Sequence, residues 1–271
     1  MAKNTIDLNV DIGEGFAHDV ELLDYATSVN VACGWHAGDP LTMRNITSEA
    51  IQRGIAIGAH PSFPDRENFG RVPMDLSLEE VYAGVQYQVG ALAAVVAGLS
   101  GRVTHVKPHG ALYNQAEQDA DLAQTIVRAV RDVDSEMAIF GLAGGQLVRI
   151  AREEGLVAID EGFADRAYTS TGKLVPRSQS NAMLGCKELA CAQAIRMVLD
   201  GRVRTEDGSD VGIDVQSICL HGDTPNALAF ARMVRTELAK ANIIVQSIDH
   251  SRSPTAFSKT NGVIRPVADA A

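Results

Sequence analysis

The sequence predicts a parallel α/β fold that closes into a single TIM-like barrel, and three observations support this fold class. Short apolar runs rich in β-branched residues alternate with helical patterns along the chain, as in successive strand-helix-strand units. About seven or eight such units occur, which suits a closed barrel better than an open, doubly wound sheet. Polar residues also collect where the predicted strands end, and parallel barrels build their active sites there.

The chain is expected to form one domain over residues 1–271. Its 46% hydrophobic content allows a large core, and we find no Pro/Ser-rich linker, charge block or internal repeat. The net charge of -10 argues against a nucleic-acid partner. A cytoplasmic location is predicted, because we find neither a signal peptide nor an apolar stretch of the roughly 20 residues that a membrane span needs. Association between copies of the chain is left open.

The first predicted strand lies in DLNVDIGEGF, which begins at Asp7. Apolar residues alternate in it with Asp7, Asn9 and Asp11. Because successive side chains of a strand point to opposite faces, these three polar side chains share one face. We expect that face to line the barrel interior and to lead up to its mouth.

Seven further runs are predicted to be strands. They are SVNVAC (28–33), IAIGAH (55–60), VTHVKPH (103–109), MAIFGL (137–142), LVAIDEGF (156–163), VQSICLH (215–221) and NIIVQSID (242–249). No GxGxxG motif follows the first strand, so a dinucleotide-binding Rossmann domain is not favoured.

Two helices are predicted most clearly. In residues 75–99 apolar side chains recur three or four positions apart, and Ser77 with Glu80 makes a capping box at the start. The second helix begins with Thr224 as N-cap and Pro225 at the first helical position.

Polar residues that could carry chemistry follow the predicted strands. They are Asp11, Glu14, His36, Asp39, His60, Asp65, Lys107, His109, Glu161, Asp165, His221 and Asp223. A single histidine after a strand is often only a hydrogen-bonded turn residue. Here most of the histidines end a strand or lie just beyond one, so we expect one shared pocket at the barrel rim.

Lys107 and His109 alternate on one predicted strand and therefore project to the same side. An ammonium group next to an imidazole favours the neutral imidazole, which suits a base or a metal ligand. An ion pair between Lys107 and a carboxylate at the rim is the alternative.

A divalent metal is a further expectation, with Asp11, His36 and His60 as candidate ligands, since imidazole and carboxylate suit Zn²⁺ and related ions. Ligands from separate strands leave no spacing signature, and no HExxH motif occurs. The four cysteines form no CxxC pair and are predicted to be buried and reduced. Neither a GxxxxGK[ST] loop nor a GxSxG elbow occurs, which favours acid-base hydrolysis.

Seven ordered motifs resemble the LamB/YcsF family, known as the A subunits of 5-oxoprolinase. They are DLNVDIGEGF, NVACGWHAGDP, IGAHPSFPDRENFGR, VKPHGALYN, EGFADRAY, GKLVPR and CLHGDTP, and they span essentially the whole chain. The chain departs from the family at one position. The resemblance leads us to expect a second arginine directly after Arg71, but this chain has Val72 there.

The resemblance implies a cytoplasmic, seven-stranded, TIM-like barrel similar to polysaccharide deacetylases. It also implies ATP-dependent cleavage of the lactam of 5-oxo-L-proline to L-glutamate, with ADP and phosphate, performed with partner subunits B and C. Since the chain shows no phosphate-binding loop, the partners are expected to help activate the lactam with ATP, while the barrel binds the substrate and assists ring opening.

For this reaction Asp11 or His60 is the expected general base for water. His109 or Lys107 is expected to stabilise the developing charge. The residues expected to orient these groups are Glu14, His36, Asp39 and Asp165.

Substrate binding is assigned to a second set of residues. They are His36, Asp39, Asp165, Arg166, Arg177 and His221. Arg166 is the first choice for the substrate carboxylate and Arg177 the second, because a guanidinium can donate two parallel hydrogen bonds to it.

Two other functions stay open. One is a metal-dependent deacetylase acting on an N-acetyl sugar, which would need no ATP. The other is a noncatalytic subunit whose rim only binds a small acid.

Overall fold

The computed structural model describes residues 4–220, 222 and 226–248. Its strands are β1 (Thr5–Ile12), β2 (Ser28–Ala32), β3 (Ala56–His60), β4 (Val103–Val106), β5 (Ala138–Leu142), β6 (Ala158–Phe163), β7 (Arg202–Arg204), β8 (Asp210–Gly212), β9 (Ser217–Leu220) and β10 (Ile244–Val245). Its helices are α1 (Asp19–Leu22), α2 (Pro40–Arg53), α3 (Leu78–Ala97), α4 (Gly110–Ala116), α5 (Ala120–Val133), α6 (Gln146–Glu153), α7 (Lys187–Asp200) and α8 (Ala227–Lys240).

Seven parallel strands close into a barrel. Strands β1 to β6 pair in chain order, β9 pairs with β6, and β1 pairs with β9 to complete the ring. Strand β10 lies beside the start of β1, where Thr5 is opposite Ile244. Strands β7 and β8 form a separate antiparallel hairpin that the sequence did not predict. The predicted TIM-like barrel of seven strands is confirmed.

The sequence predicted a strand that continues to His109, but β4 ends at Val106. Pro108 has no backbone N–H to donate, and His109 is already the N-cap residue of α4. The Lys107 N–H still donates to the Ala59 carbonyl across a distance of 2.9 Å. Lys107 therefore follows the strand direction, whereas His109 belongs to the start of the next helix.

Helix α3 confirms the predicted helical pattern and its capping box. The Ser77 hydroxyl accepts a hydrogen bond from the Glu80 N–H, and the Glu80 carboxylate accepts one from the Ser77 N–H. Its buried face packs on the barrel and includes Val81, Val85, Val89, Leu92 and Val96.

The second predicted helix corresponds to α8, which is described from Ala227. Its predicted N-cap Thr224, and Pro225, lie outside the described residues. None of the helices within the described ranges is long and apolar enough to cross a bilayer.

Three of the four cysteines are buried as predicted: Cys33, Cys191 and Cys219. Cys186 is exposed, because it occupies the N-cap position at the surface end of α7.

The polar face of β1 lines the barrel interior, as the alternation predicted. Asp7 and Asn9 are almost fully buried there. Asp7 accepts hydrogen bonds from the hydroxyls of Ser28 and Ser217, although burial, the larger effect, raises its pKa. Asn9 donates to Ser217 Oγ at 2.7 Å, and its Oδ1 accepts from Asn30 at 2.8 Å. These contacts satisfy the buried polar atoms and form a continuous series of hydrogen bonds along the barrel interior toward the mouth.

Gly58 on β3 is expected to tolerate no side chain. A Cβ at this position would lie 2.1 Å from Nε2 of His105, a buried ring whose Nε2 is 3.0 Å from Asn30 Oδ1. Gly58→Ala should therefore lower the free energy of unfolding by about 1–3 kcal/mol, measured by urea denaturation. Gly90→Ala is the control, because its Cβ would meet nothing within 4 Å, and alanine in a helix should be more stable by up to about 1 kcal/mol. Equal effects of both changes would contradict this packing.

Candidate active site

An ion-paired group lies at the barrel mouth. Lys107 Nζ is 3.1 Å from Asp11 Oδ1 and 2.7 Å from Glu161 Oε1. The Tyr113 hydroxyl donates to Glu161 Oε2 at 3.2 Å, and Asn30 donates to Asp11 Oδ1 at 2.8 Å. The predicted alternative for Lys107, an ion pair with carboxylates, is therefore present.

The charges of this group hold one another in the ionised state. Burial by itself would raise the pKa of Asp11, but the proximity of His60 and the charge of Lys107 outweigh it and hold that pKa well below its usual range. Burial would likewise lower the pKa of Lys107, but the nearby carboxylates of Asp11 and Glu161 raise it well above its usual value. Asp11 is thus a carboxylate, and Lys107 an ammonium, at neutral pH.

A second group, the histidine cluster, consists of Glu14, His36, His60 and His109. Each residue offers one atom that could bind a metal ion, and these atoms all lie within 4.8 Å of one another. The rings of His36 and His109 stack with their centroids 3.8 Å apart, and His36 Nε2 is 3.1 Å from Glu14 Oε1. His60 Nε2 is 3.4 Å from Asp11 Oδ2, so the cluster adjoins the ion-paired group.

Two rings of the histidine cluster are oriented by backbone carbonyls. His60 Nδ1 is 2.7 Å from the Lys107 carbonyl oxygen, and His109 Nε2 is 2.8 Å from the Phe69 carbonyl oxygen. Burial, followed by the proximity of His60, lowers the pKa of His109 to about 3. The predicted neutral imidazole at His109 is therefore supported, but burial causes it rather than Lys107.

The loop that carries Glu14 is shaped by two glycines and one aspartate. Gly13 and Gly15 have φ values of 73° and 88°, in the left-handed region that glycine adopts without strain. The N–H groups of residues 13, 14 and 15 all point to Asp19 Oδ2, at 3.0, 3.1 and 3.3 Å. Asp19 thereby fixes the backbone of the loop that carries Glu14.

Replacing Asp19 with alanine is expected to loosen this loop. Three N–H groups would lose a charged acceptor, which should lower the free energy of unfolding by about 1.5–3 kcal/mol in urea denaturation. Asp24→Ala is the control, because this exposed aspartate pairs with the side chain of Arg53 on the surface of the molecule, at 3.4 Å. A loss no larger for Asp19→Ala than for Asp24→Ala would show that the loop does not depend on Asp19.

A cleft of about 280 Å³ opens beside the histidine cluster. Its lining includes Glu14, His36, Asp39, Arg66 and Phe69. The volume lies just below the range that drug-sized ligands occupy, so the cleft suits a small molecule. Asp39 is exposed here and also caps α2, because its side chain accepts a hydrogen bond from the Thr42 N–H at 2.8 Å.

The residue pattern that defines the LamB/YcsF family matches residues 6–253 of this chain. The chain belongs to the LamB/YcsF family.

Solved structures extend the comparison for this LamB/YcsF chain. It is similar to the lactam utilization protein from Thermus thermophilus, with 40% sequence identity and a TM-score of 0.86, over 90% of this chain and 100% of that one.

Two further structures have low sequence identity to this chain. A protein of Enterococcus faecalis named for cellobiose-phosphate cleavage has 13% identity and a TM-score of 0.55, over 91% of this chain and 97% of that one. The family 4 carbohydrate esterase from Streptomyces lividans, solved with acetate, has 13% identity and a TM-score of 0.48, over 93% and 96% of the two chains.

The predicted substrate-binding arginines of the LamB/YcsF chain lie after β6. The buried guanidinium of Arg166 donates to the carbonyl oxygens of Val175 at 2.6 Å and Ala182 at 3.3 Å, so it supports the backbone there. Burial, and then the charge of Arg177, lower the pKa of Arg166 to about 10. Asp165 is half-buried and Arg177 exposed in the same segment.

Another predicted residue, His221, lies outside the described residues. The three metal ligands predicted from the sequence lie at the barrel mouth. They are Asp11, His36 and His60.

Sequence reasoning missed several residues of the site, among them Asn30, Tyr113 and Phe69. Asn30 stands between Val29 and Val31 in β2, and that contrast was a signal that could have assigned it to the interior. Phe69 could not have been found in this way, because it acts on His109 through its backbone carbonyl. Its own φ of 57° is unusual for a residue other than glycine.

Proposed function

We propose that this LamB/YcsF protein is a subunit of a cytoplasmic, ATP-dependent 5-oxoprolinase, which cleaves 5-oxo-L-proline to L-glutamate together with partner subunits B and C. Family membership and the similarity to a lactam utilization protein support this proposal. The observation that carries it is the ionised carboxylate of Asp11, which Lys107 holds at the barrel mouth. Asp11 adjoins the histidine cluster through His60, and Glu14 and His36 of that cluster line a cleft of small-molecule size.

The chemistry explains why ATP is needed. A five-membered lactam is a stable amide, and its carbonyl carbon is a poor electrophile. Transfer of the γ-phosphoryl group of ATP to the lactam oxygen releases ADP, and loss of the lactam N–H proton to solvent leaves a C=N bond in the ring. Water then adds across this bond, and the ring C–N bond breaks with a proton moving to nitrogen. The resulting acyl phosphate reacts with a second water to give glutamate and phosphate.

We assign the phosphoryl transfer to the partners and the ring opening to this barrel. The sequence contains no GxxxxGK[ST] loop for nucleotide phosphates. The described mouth offers instead groups that can position water against an activated carbon.

Asp11 is the preferred acceptor for the proton of the attacking water. Its side chain is 14% exposed, whereas that of His60 is 1% exposed, so water reaches Asp11 more readily. The lowered pKa of Asp11 makes it a weak base. A weak base is sufficient here, because phosphorylation has already made the ring carbon reactive.

Lys107 acts in this proposal as a positioning residue. Its ammonium group has three hydrogens and four close neighbours, including Asn9 Oδ1 at 3.1 Å and Cys219 Sγ at 3.2 Å. Lys107 therefore acts on the substrate through Asp11. For the substrate carboxylate, Arg66 is a further candidate because it lines the cleft, where it also donates to the carbonyl oxygens of Gly34 and Gly38. Arg166 is a weaker candidate than predicted, because its guanidinium already donates to backbone carbonyls.

The direct test combines the purified chain with subunits B and C, 5-oxoproline and ATP. Glutamate and phosphate are expected in equal amounts only when all three proteins are present. Omitting this chain, or supplying it as Asp11→Asn, serves as the control. Glutamate formed equally well without this chain, or absent from every combination, would refute the proposal.

A metal-dependent deacetylase is the second candidate, because three imidazoles and a carboxylate meet in the histidine cluster. The same preparation is assayed for acetate release from N-acetylated sugars without ATP and with EDTA. Acetate release that needs no ATP and stops with EDTA would favour this function over the first.

A further inference from the structure

The contact between His60 and His109 is unusual when their ring hydrogens are counted. A carbonyl oxygen can only accept, so His60 Nδ1 and His109 Nε2 must both carry the hydrogens that they donate to Lys107 O and Phe69 O. In neutral rings this leaves His60 Nε2 and His109 Nδ1 without hydrogens. These two nitrogens are nevertheless only 2.9 Å apart. Two lone pairs at this distance repel each other unless a positive species lies between them.

His36 shows a second unsatisfied atom in the same place. Its side chain is 0% exposed, and its Nδ1 has no hydrogen-bond partner among the described residues. If the ring hydrogen is on Nδ1, Nε2 presents a lone pair to Glu14 Oε1 at 3.1 Å. If it is on Nε2, a buried Nδ1 acceptor is left without a donor. Either tautomer leaves a polar atom uncompensated, which folded proteins generally avoid.

We propose that Glu14, His36, His60 and His109 bind one divalent transition metal ion through a carboxylate oxygen and three imidazole nitrogens. The cation would meet the facing lone pairs of His60 Nε2 and His109 Nδ1, and of His36 Nε2 beside Glu14 Oε1, which places the His36 hydrogen on Nδ1. Imidazole donors favour Zn²⁺, Co²⁺ or Ni²⁺ over Mg²⁺ and Ca²⁺, which prefer oxygen. A metal-bound histidine usually donates its other ring N–H to a carbonyl or carboxylate group. His60 and His109 already donate to backbone carbonyls in this way.

This ligand set differs from the one predicted from the sequence, which included Asp11. Oδ1 of Asp11 is already bound by Lys107 and Asn30, and the group of ligand atoms that lie within 4.8 Å of one another does not include Asp11. Asp11 therefore stands beside the metal site as a neighbour of His60. When bound, such an ion supplies a Lewis acid next to the cleft. The inference goes beyond the proposed function, because it holds for any substrate.

The test measures metal binding in the absence of substrate and partners. The full chain is stripped with a chelator and titrated with Co²⁺, followed by visible absorption, and Zn²⁺ is then used to displace the Co²⁺. We expect one equivalent per chain. His109→Ala and Glu14→Gln should weaken binding by at least about 100-fold, more than an outer partner would. His18→Ala, which changes an exposed histidine, should leave the affinity unchanged.

Two results would overturn the proposal. One is Co²⁺ binding that is equally tight in wild type and His109→Ala, since a proton shared by His60 and His109 would then explain their contact. The other is binding abolished by Asp11→Asn but not by Glu14→Gln. If the cluster variants fail to fold, X-ray absorption of the metal-loaded wild type identifies the atoms bound to the metal. A set of metal ligands without imidazole would refute the site. None of these outcomes depends on the 5-oxoprolinase assay, which stands or fails separately.

Discussion

Replacing Asp11 with asparagine is expected to reduce glutamate formation by about 10²- to 10⁴-fold, the usual contribution of a positioned acid or base group. The amide has nearly the same shape as the carboxylate but cannot take a proton from water. Lys107 keeps its second carboxylate partner, Glu161, at 2.7 Å, so the chain should stay folded. The measurement is kcat with subunits B and C, together with circular dichroism of the variant.

The matched control is Asp132→Asn on α5. This aspartate is near the surface and bonds to the Tyr82 hydroxyl at 2.7 Å, away from the mouth. Its substitution should leave kcat within about twofold of wild type, since surface changes of this kind cost little. An Asp11→Asn variant that keeps most of its kcat and changes only substrate affinity would favour the noncatalytic, small-acid-binding function instead.

Replacing Lys107 with methionine is expected to give the largest loss of stability. The change would leave Asp11 and Glu161 facing each other in the barrel without their shared cation. Removing one partner of a buried ion pair costs about 3–5 kcal/mol, because the remaining charge is left uncompensated. Urea denaturation of wild type and variant measures the difference in the free energy of unfolding.

Two further variants test this explanation. Adding Glu161→Gln to Lys107→Met removes one of the two carboxylates left without a cation, and it should recover part of the lost free energy of unfolding. Arg149→Met breaks the exposed pair with Glu153 on α6 and should cost no more than about 1 kcal/mol. If Lys107→Met were no more harmful than Arg149→Met, the buried ion pair would not be what stabilises the mouth.

Much of the architecture could be predicted because it depends on local patterns. The alternation along β1 placed Asp7 and Asn9 inside the barrel, and the spacing of Ser77 and Glu80 located the start of α3. Such patterns involve residues close in sequence, and backbone geometry brings these together in any fold. The hairpin of β7 and β8 was missed, because strands of three residues carry almost no periodic signal.

The site was predictable as a set of residues but not as a geometry. Residue types and their positions after strands indicated that Asp11, His60 and His109 would meet at one mouth, because parallel strands end at a common rim. The contact between His60 and His109 joins residues separated by 49 positions, and the hydrogens that make it unusual are determined by carbonyls of Lys107 and Phe69. A backbone carbonyl is the same in every residue, so no side-chain pattern reveals where it points. Only the tertiary structure brought those carbonyls to the two rings, and their direction turns the other nitrogens of His60 and His109 toward each other.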